Sequence, residues 1–97
     1  MKFHKLLKMK NQNNFIDIIL PNFNKAEYLQ EAIDSVVNQT FQDWKLYIID
    51  DCSTDNSQEV LNSYKEIKKI NIIKLKKNKG PSFCRNLGLR ISRSNLI

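Results

Sequence analysis

The sequence predicts an α/β fold, a Rossmann-like parallel sheet with alternating helices, and three observations predict it. From Phe15 onward, short β-prone apolar runs alternate with stretches whose apolar residues recur at helical spacing, which is the mark of βαβ units. Each apolar run ends in polar or turn-forming residues: Pro21-Asn22, Asp50-Asp51 and the Lys76–Gly80 stretch. The chain has 97 residues, 41% of them hydrophobic and 27% charged, with two Gly and two Pro, so it is one small globular domain and not a collagenous or disordered chain. A chain of this size buries about 60 to 65% of its unfolded surface, which leaves room for one modest core.

Residues 1–14 are basic and then Asn-rich, and their apolar content is too interrupted for a secretory signal. They read as a basic N-terminal extension that frays, with a short amphipathic helix on a membrane surface as the alternative. The domain proper spans 15–97. Its first strand is Ile16-Asp17-Ile18-Ile19-Leu20, which Pro21 is expected to stop because it cannot donate to a ladder. Asn24 with Glu27 three residues later has the capping-box pattern, and Leu29, Ala32, Ile33, Val36 and Val37 then form one apolar stripe, giving a helix over about 25–38. Lys45 to Ile49 is a buried-type strand running into Asp50-Asp51. Val60, Leu61, Tyr64 and Ile67 supply a second helix face, with Ser53, Thr54 and Asp55 available to cap it. Ile70 to Leu75 reads as the third strand. Pro81 suits a first helical position, and Phe83, Leu87 and Ile91 give the third helix an inward face. Asn95-Leu96-Ile97 looks like the opening of a fourth strand, so the chain reads as a fragment truncated there.

Charge is laid out unevenly. The net +6 combines four Lys and no acid in residues 1–10, two bases against nine acids in 11–60, and ten bases against one acid in 61–97. A basic second half suits partners that carry phosphate, although a solvated Lys-rich face is the plain alternative. A nucleic-acid face is disfavoured, since only Tyr64 and Phe83 interleave its cations and no recognised motif is present. No apolar run approaches the roughly 20 residues that span a bilayer. Cys52 and Cys84 stand alone without metal or redox spacing, which fits reduced thiols in a cytoplasmic setting. His4, the one histidine, lies in the extension. Trp44 and Tyr47 read as packing residues.

In open parallel sheets the ligand lies outside the carboxyl ends of the strands. Three loops gather there: Pro21-Asn22-Phe23-Asn24, Asp50-Asp51, and Asn78-Lys79-Gly80 with Arg85 a turn further. They offer an aromatic face, acceptors and cations, which together meet the needs of a nucleotide's base, ribose and diphosphate. The phosphate motifs GxGxxG and GxxxxGK[ST] are absent. Adjacent strand residues point to opposite faces, so at most one of Asp50 and Asp51 is expected to face a ligand.

The wording Ile18-Ile19-Leu20-Pro21-Asn22-Phe23-Asn24, then Asn38-Gln39-Thr40-Phe41, then Ile49-Asp50-Asp51-Cys52-Ser53-Thr54-Asp55, then Asn78-Lys79-Gly80 with Arg85-Asn86 resembles the start of a family 2 glycosyltransferase over about residues 15–97. The resemblance implies the nucleotide-binding half of a GT-A fold and transfer of a sugar from a nucleotide-sugar donor, most simply a UDP-sugar, to a glycan or lipid acceptor. It places Pro21 and Phe23 at the base and ribose, Asp51 on the base ring N–H, Arg85 with Lys79 and Gly80 near the nucleotide, and Asp50 as a group that orients the Lys79–Gly80 loop. Asn22 and Asn24 belong to the same nucleotide-binding set. Phe23 stands where Tyr is common and Cys52 where Gly is common. The family's divalent cation, Mn or Mg, is held by a later motif, and its catalytic base lies later still, so residues 1–97 alone are expected to be inactive. A cytoplasmic place, peripheral at the inner membrane face, and no nucleic-acid partner complete the expectation. The rival is a non-catalytic α/β module of receiver type, which would want its acidic pair after strand one.

Overall fold

The computed structural model describes residues 6–10 and 15–94. Its elements in chain order are β1 (Leu7–Lys10), β2 (Ile16–Asn22), α1 (Ala26–Val37), β3 (Trp44–Asp50), α2 (Ser57–Asn62), β4 (Ile70–Lys74) and α3 (Pro81–Ser94). The four strands form one sheet in the order β1-β2-β3-β4. β2 and β3 run parallel with Ile16 opposite Trp44 and Asn22 opposite Asp50, and β3 and β4 run parallel with Leu46 opposite Ile70. The alternating βα pattern is therefore as the sequence implies.

Period-2 side-chain alternation divides the core into two layers. Ile18, Leu20, Leu46 and Ile48 point to one face, where Leu29, Ile33 and Val36 of α1 and Leu61 of α2 cover them. Ile19, Tyr47 and Ile49 point to the other face, where Cys84 is buried and Leu87 and Ile91 of α3 pack. Trp44 and Tyr47 are core residues, 2% and 1% exposed. At Gly88 the helix backbone lies against the sheet so closely that a Cβ there would stand 2.5 Å from Ile19 Cγ2. That approach is why a glycine sits inside α3 despite its poor helix propensity.

Several expectations need correction. Residues 7–10 neither fray nor form a helix: they pair antiparallel with β2, Leu7 opposite Ile19 and Lys10 opposite Ile16, which makes the sheet mixed. Leu7 and Met9 pack on the α3 side while Lys8 is exposed, an alternation too short to outweigh the basic composition when read from sequence. Edge lysines of this kind also discourage further strand pairing. Pro21 does not stop β2, which continues to Asn22. Ile16 N donates to Asp43 O and Asn22 O accepts from Asp51 N, so even-numbered residues of β2 bond towards β3. Pro21, an odd-numbered residue, turns its nitrogen away from β3, so the β2–β3 ladder loses no N–H bond there. α2 ends at Asn62, so Tyr64 and Ile67 follow it in turns, and Leu75 lies just past β4. Phe83 does not face inward but is 42% exposed, and the inward stripe of α3 runs instead through Cys84, Leu87, Gly88 and Ile91. The fourth strand at 95–97, residues 1–5 and 11–14, and with them His4, lie outside the described residues.

Candidate nucleotide site

The carboxyl ends of β2 and β3 are joined by a buried polar network. Asn22 Nδ2 donates to Asp50 Oδ1 at 2.8 Å, Ser57 Oγ at 3.1 Å and Ser53 Oγ at 3.3 Å. Asp50 accepts three further bonds, from Ser53 Oγ at 2.7 Å, Ser53 N at 3.1 Å and Gln58 Nε2 at 3.2 Å. With Asn22 2% and Asp50 0% exposed, both side chains spend their polar atoms inside the protein. Buried polar groups are tolerated when satisfied in this way, and the network fixes the loop after β3 to the end of β2.

Asp51 points to the other side, as strand alternation requires, and it is Asp51, not the Asp50 side chain as the sequence suggests, that orients the Lys79–Gly80 loop. Asp51 is 3% exposed, and its two oxygens receive consecutive backbone amides: Lys79 N donates to Oδ1 at 2.6 Å and Gly80 N to Oδ2 at 2.9 Å. Asn78 Nδ2 adds a 3.3 Å bond to the Asp51 carbonyl. Gly80 takes φ +92°, a conformation other residues rarely adopt, which lets the turn present both amides. Burial, the neighbouring Asp51 charge and a hydrogen bond to it push the Cys84 thiol up to about 11, so it stays protonated.

The loop after β2 is tied to the loop after β3. Asn24, at φ +51°, accepts through Oδ1 from Thr54 N at 2.7 Å and Asp55 N at 3.2 Å, while its own N–H donates to Ser53 Oγ at 3.0 Å. It therefore does not cap α1 as the sequence suggests. Lys25 holds that position without a side-chain bond, and Asp55 supplies the cap from across the loop, accepting from Ala26 N at 3.1 Å. The other oxygen of Asp55 accepts from Ser57 N at 3.0 Å, so one carboxylate serves the starts of α1 and α2. Burial works against its ionisation, but the bonds from Ser57 and Ala26 outweigh it and hold the carboxyl below its ordinary value. A cleft of about 370 Å³ opens beside it, lined by residues of the α1 start, Tyr28, Asp55 and Asn56. No residue pattern signals that cleft, because it depends on how two helix starts are spaced.

The three loops thus share one rim. On it Phe23 is 43% exposed and Phe83 42%, with Lys79 Nζ 5.5 Å from the Phe83 ring centroid. Pro21 and Arg85 are half-buried and Lys79 is exposed. Cys52 takes φ +63°, and its thiol donates to Lys76 O at 3.5 Å. Ser53, Ser57 and Gln58, which sequence reading left out of the site, complete its support. No group of three or more His, Cys, Asp or Glu residues suited to a metal occurs among the described residues, and the oxygens of Asp50 and Asp51 face N–H and O–H donors instead of a cation site. The residues present do not fit the divalent cation. Among the described residues no helix is long and apolar enough to cross a membrane.

The model of glycosyl transferase family 2 matches residues 17–97. The poly(ribitol-phosphate) beta-N-acetylglucosaminyltransferase TarP of Staphylococcus aureus is 44% identical over 86 residues, a match covering 84% of this chain and 26% of TarP. The crystal structure of S. aureus TarS 1-349 in complex with UDP-GlcNAc superposes with a TM-score of 0.69 at 29% identity, over 75% of this chain and 22% of that one. The mannosyltransferase PcManGT from Pyrobaculum calidifontis, in complex with GDP-Man and Mn2+, gives a TM-score of 0.67 at 20% identity over 75% of this chain and 23% of that one, a likeness of fold. The chain therefore spans about a quarter of the length of each of these three proteins.

Proposed function

The chain belongs to glycosyl transferase family 2, and from that premise we propose that its rim is the nucleoside-diphosphate side of a donor site, taking a UDP-sugar for transfer to a glycan or lipid acceptor. The observation that supports this most is the convergence of the loops after β2, β3 and β4, the first two tied by Asn22 and Asn24 and the last two by the bonds of Asp51 to Lys79 N and Gly80 N. Phe23 and Pro21 would receive the base and ribose, since an exposed aromatic gives a stacking face. Asp51 would accept the base ring N–H. Lys79 and Arg85 would hold the diphosphate and favour it as an anionic leaving group. Asn22, Asn24 and Asp50 serve the same site by fixing its loops.

The receiver-type alternative fares worse, because β2 ends in Pro21-Asn22 and the acids follow β3. A cytoplasmic place, at the inner face of the membrane, suits a UDP-sugar user with seven Lys between residues 65 and 79. The relationship to TarS, solved with UDP-GlcNAc, favours uridine. Calorimetric titration of the 97-residue chain with UDP tests the reading: saturable binding weakened by Arg85→Gln is expected, and silence towards both UDP and GDP overturns it.

A further inference from the structure

We propose that Ser53 is a positioning residue for the nucleotide base: its single hydroxyl holds both chain neighbours of Phe23 and so sets the direction of that exposed ring. This rests on the reading of the rim as a nucleoside-diphosphate site, and it adds to that reading a residue that acts through Phe23.

A serine hydroxyl has one proton to donate and two lone pairs that accept, and in Ser53 all three are used. The proton goes to Asp50 Oδ1 at 2.7 Å. With that direction fixed by a fully buried carboxylate, the lone pairs turn to the end of β2 and its loop. There they accept from Asn24 N at 3.0 Å and Asn22 Nδ2 at 3.3 Å. The Ser53 backbone amide donates to Asp50 Oδ2 at 3.1 Å, which keeps the serine beside the carboxylate that orients it. Asn22 and Asn24 flank Phe23 in the chain, and one oxygen atom is bonded to both.

Phe23 needs such a hold, because its ring is 43% exposed whereas Asn22 beside it is 2% exposed. On the other side Asn24 turns the chain at φ +51°. Anchoring both flanks fixes the Cα–Cβ direction of Phe23 and leaves only its two side-chain torsions to settle when a base arrives. A stacking face held in this way gives up little conformational entropy on binding. Without the hydroxyl, the exposed Asn24 N–H turns to water and the loop after β2 takes other orientations beside an intact core. Asn24 Oδ1 still accepts from Thr54 N and Asp55 N, so the loop stays attached and the loss of aim is partial.

Calorimetric titration of the 97-residue chain and its variants with UDP tests this. Ser53→Ala is expected to bind UDP about fivefold more weakly, the worth of one net hydrogen bond, while Ser53→Thr, which keeps the hydroxyl, stays within about twofold of the parent. In a Phe23→Ala background the same Ser53→Ala change should cost less than about twofold, because the ring it positions is gone. A full loss in that background, or an unchanged affinity when Phe23 is present, overturns the role of Ser53 and leaves the donor site standing. Absence of saturable binding by UDP and GDP overturns the donor-site reading, and the role of Ser53 with it. Nitrogen-15 relaxation of the unsubstituted chain is a second arm that asks no variant to fold. The Phe23 amide is expected to be as rigid as β3, with an order parameter of about 0.85, and a value below about 0.6 contradicts the proposal.

Discussion

Asp50→Asn keeps the shape of a side chain that is fully buried while halving its acceptors. The carboxylate receives Asn22 Nδ2 and Ser53 Oγ on one oxygen and Ser53 N and Gln58 Nε2 on the other. A carboxamide places an NH2 against one of those pairs. Ser53 Oγ can rotate and Gln58 can flip, but the Ser53 backbone amide cannot move, and Asn22 is held by its bonds to Ser53 and Ser57. Either orientation therefore strands one fixed buried donor, at a cost of about 1–3 kcal/mol. Loss of the charge weakens the remaining bonds, which brings the expected total to about 2–4 kcal/mol. For a domain of this size that lowers the melting temperature by about 10–25 °C. Urea denaturation followed by far-ultraviolet circular dichroism measures the loss, with the slope unchanged if the unfolded surface is the same. Exposed Glu31→Gln is the control. A stability within about 0.5 kcal/mol of the parent would refute the idea that Asp50 bears on the fold by collecting these donors.

The other predictions concern backbone and charge. Cys52→Gly relieves an L-residue held at φ +63° and should stabilise the chain by about 1 kcal/mol in the same denaturation assay, provided that the weak thiol bond to Lys76 O contributes little. Gly88→Ala should destabilise by about 1–3 kcal/mol, because the new methyl meets Ile19 Cγ2 at 2.5 Å across a packed helix–sheet contact. Asp55 has a carboxyl depressed below its ordinary 3.8, so its contribution is fully present above that value and disappears as the pH falls through the lower folded value. Asp55→Asn should flatten that acid limb of the stability curve, and an unchanged limb would show that its bonds to Ala26 and Ser57 do not matter.

Much of the fold was legible because burial imposes periodicity. The runs at Ile16, Lys45 and Ile70 and the stripe through Leu29, Ile33 and Val36 are statements about which side chains leave water, and the structure buries them accordingly. What escaped were features settled by non-local geometry. Leu7 and Met9 needed a neighbouring edge and the underside of α3 to become a strand. Pro21 could be tolerated in β2 because its nitrogen faces away from β3, so the parallel ladder loses no N–H bond. Asn24 has the residue type of a cap, but a position at φ +51° turns its oxygen towards Thr54 and Asp55. At the candidate site the opposite faces of Asp50 and Asp51 followed from strand alternation alone. Their separate partners did not, since Ser57, Gln58 and the Lys79–Gly80 amides reach them from other parts of the chain.

The most direct test of the account is a map of amide shifts on adding UDP to the 97-residue chain. Saturable changes confined to residues 21–24, 50–55 and 78–85, with Gln39 to Trp44 at the far end of the sheet unmoved, are the predicted result. Changes centred on that far end, or no saturable change at any UDP concentration, would contradict it.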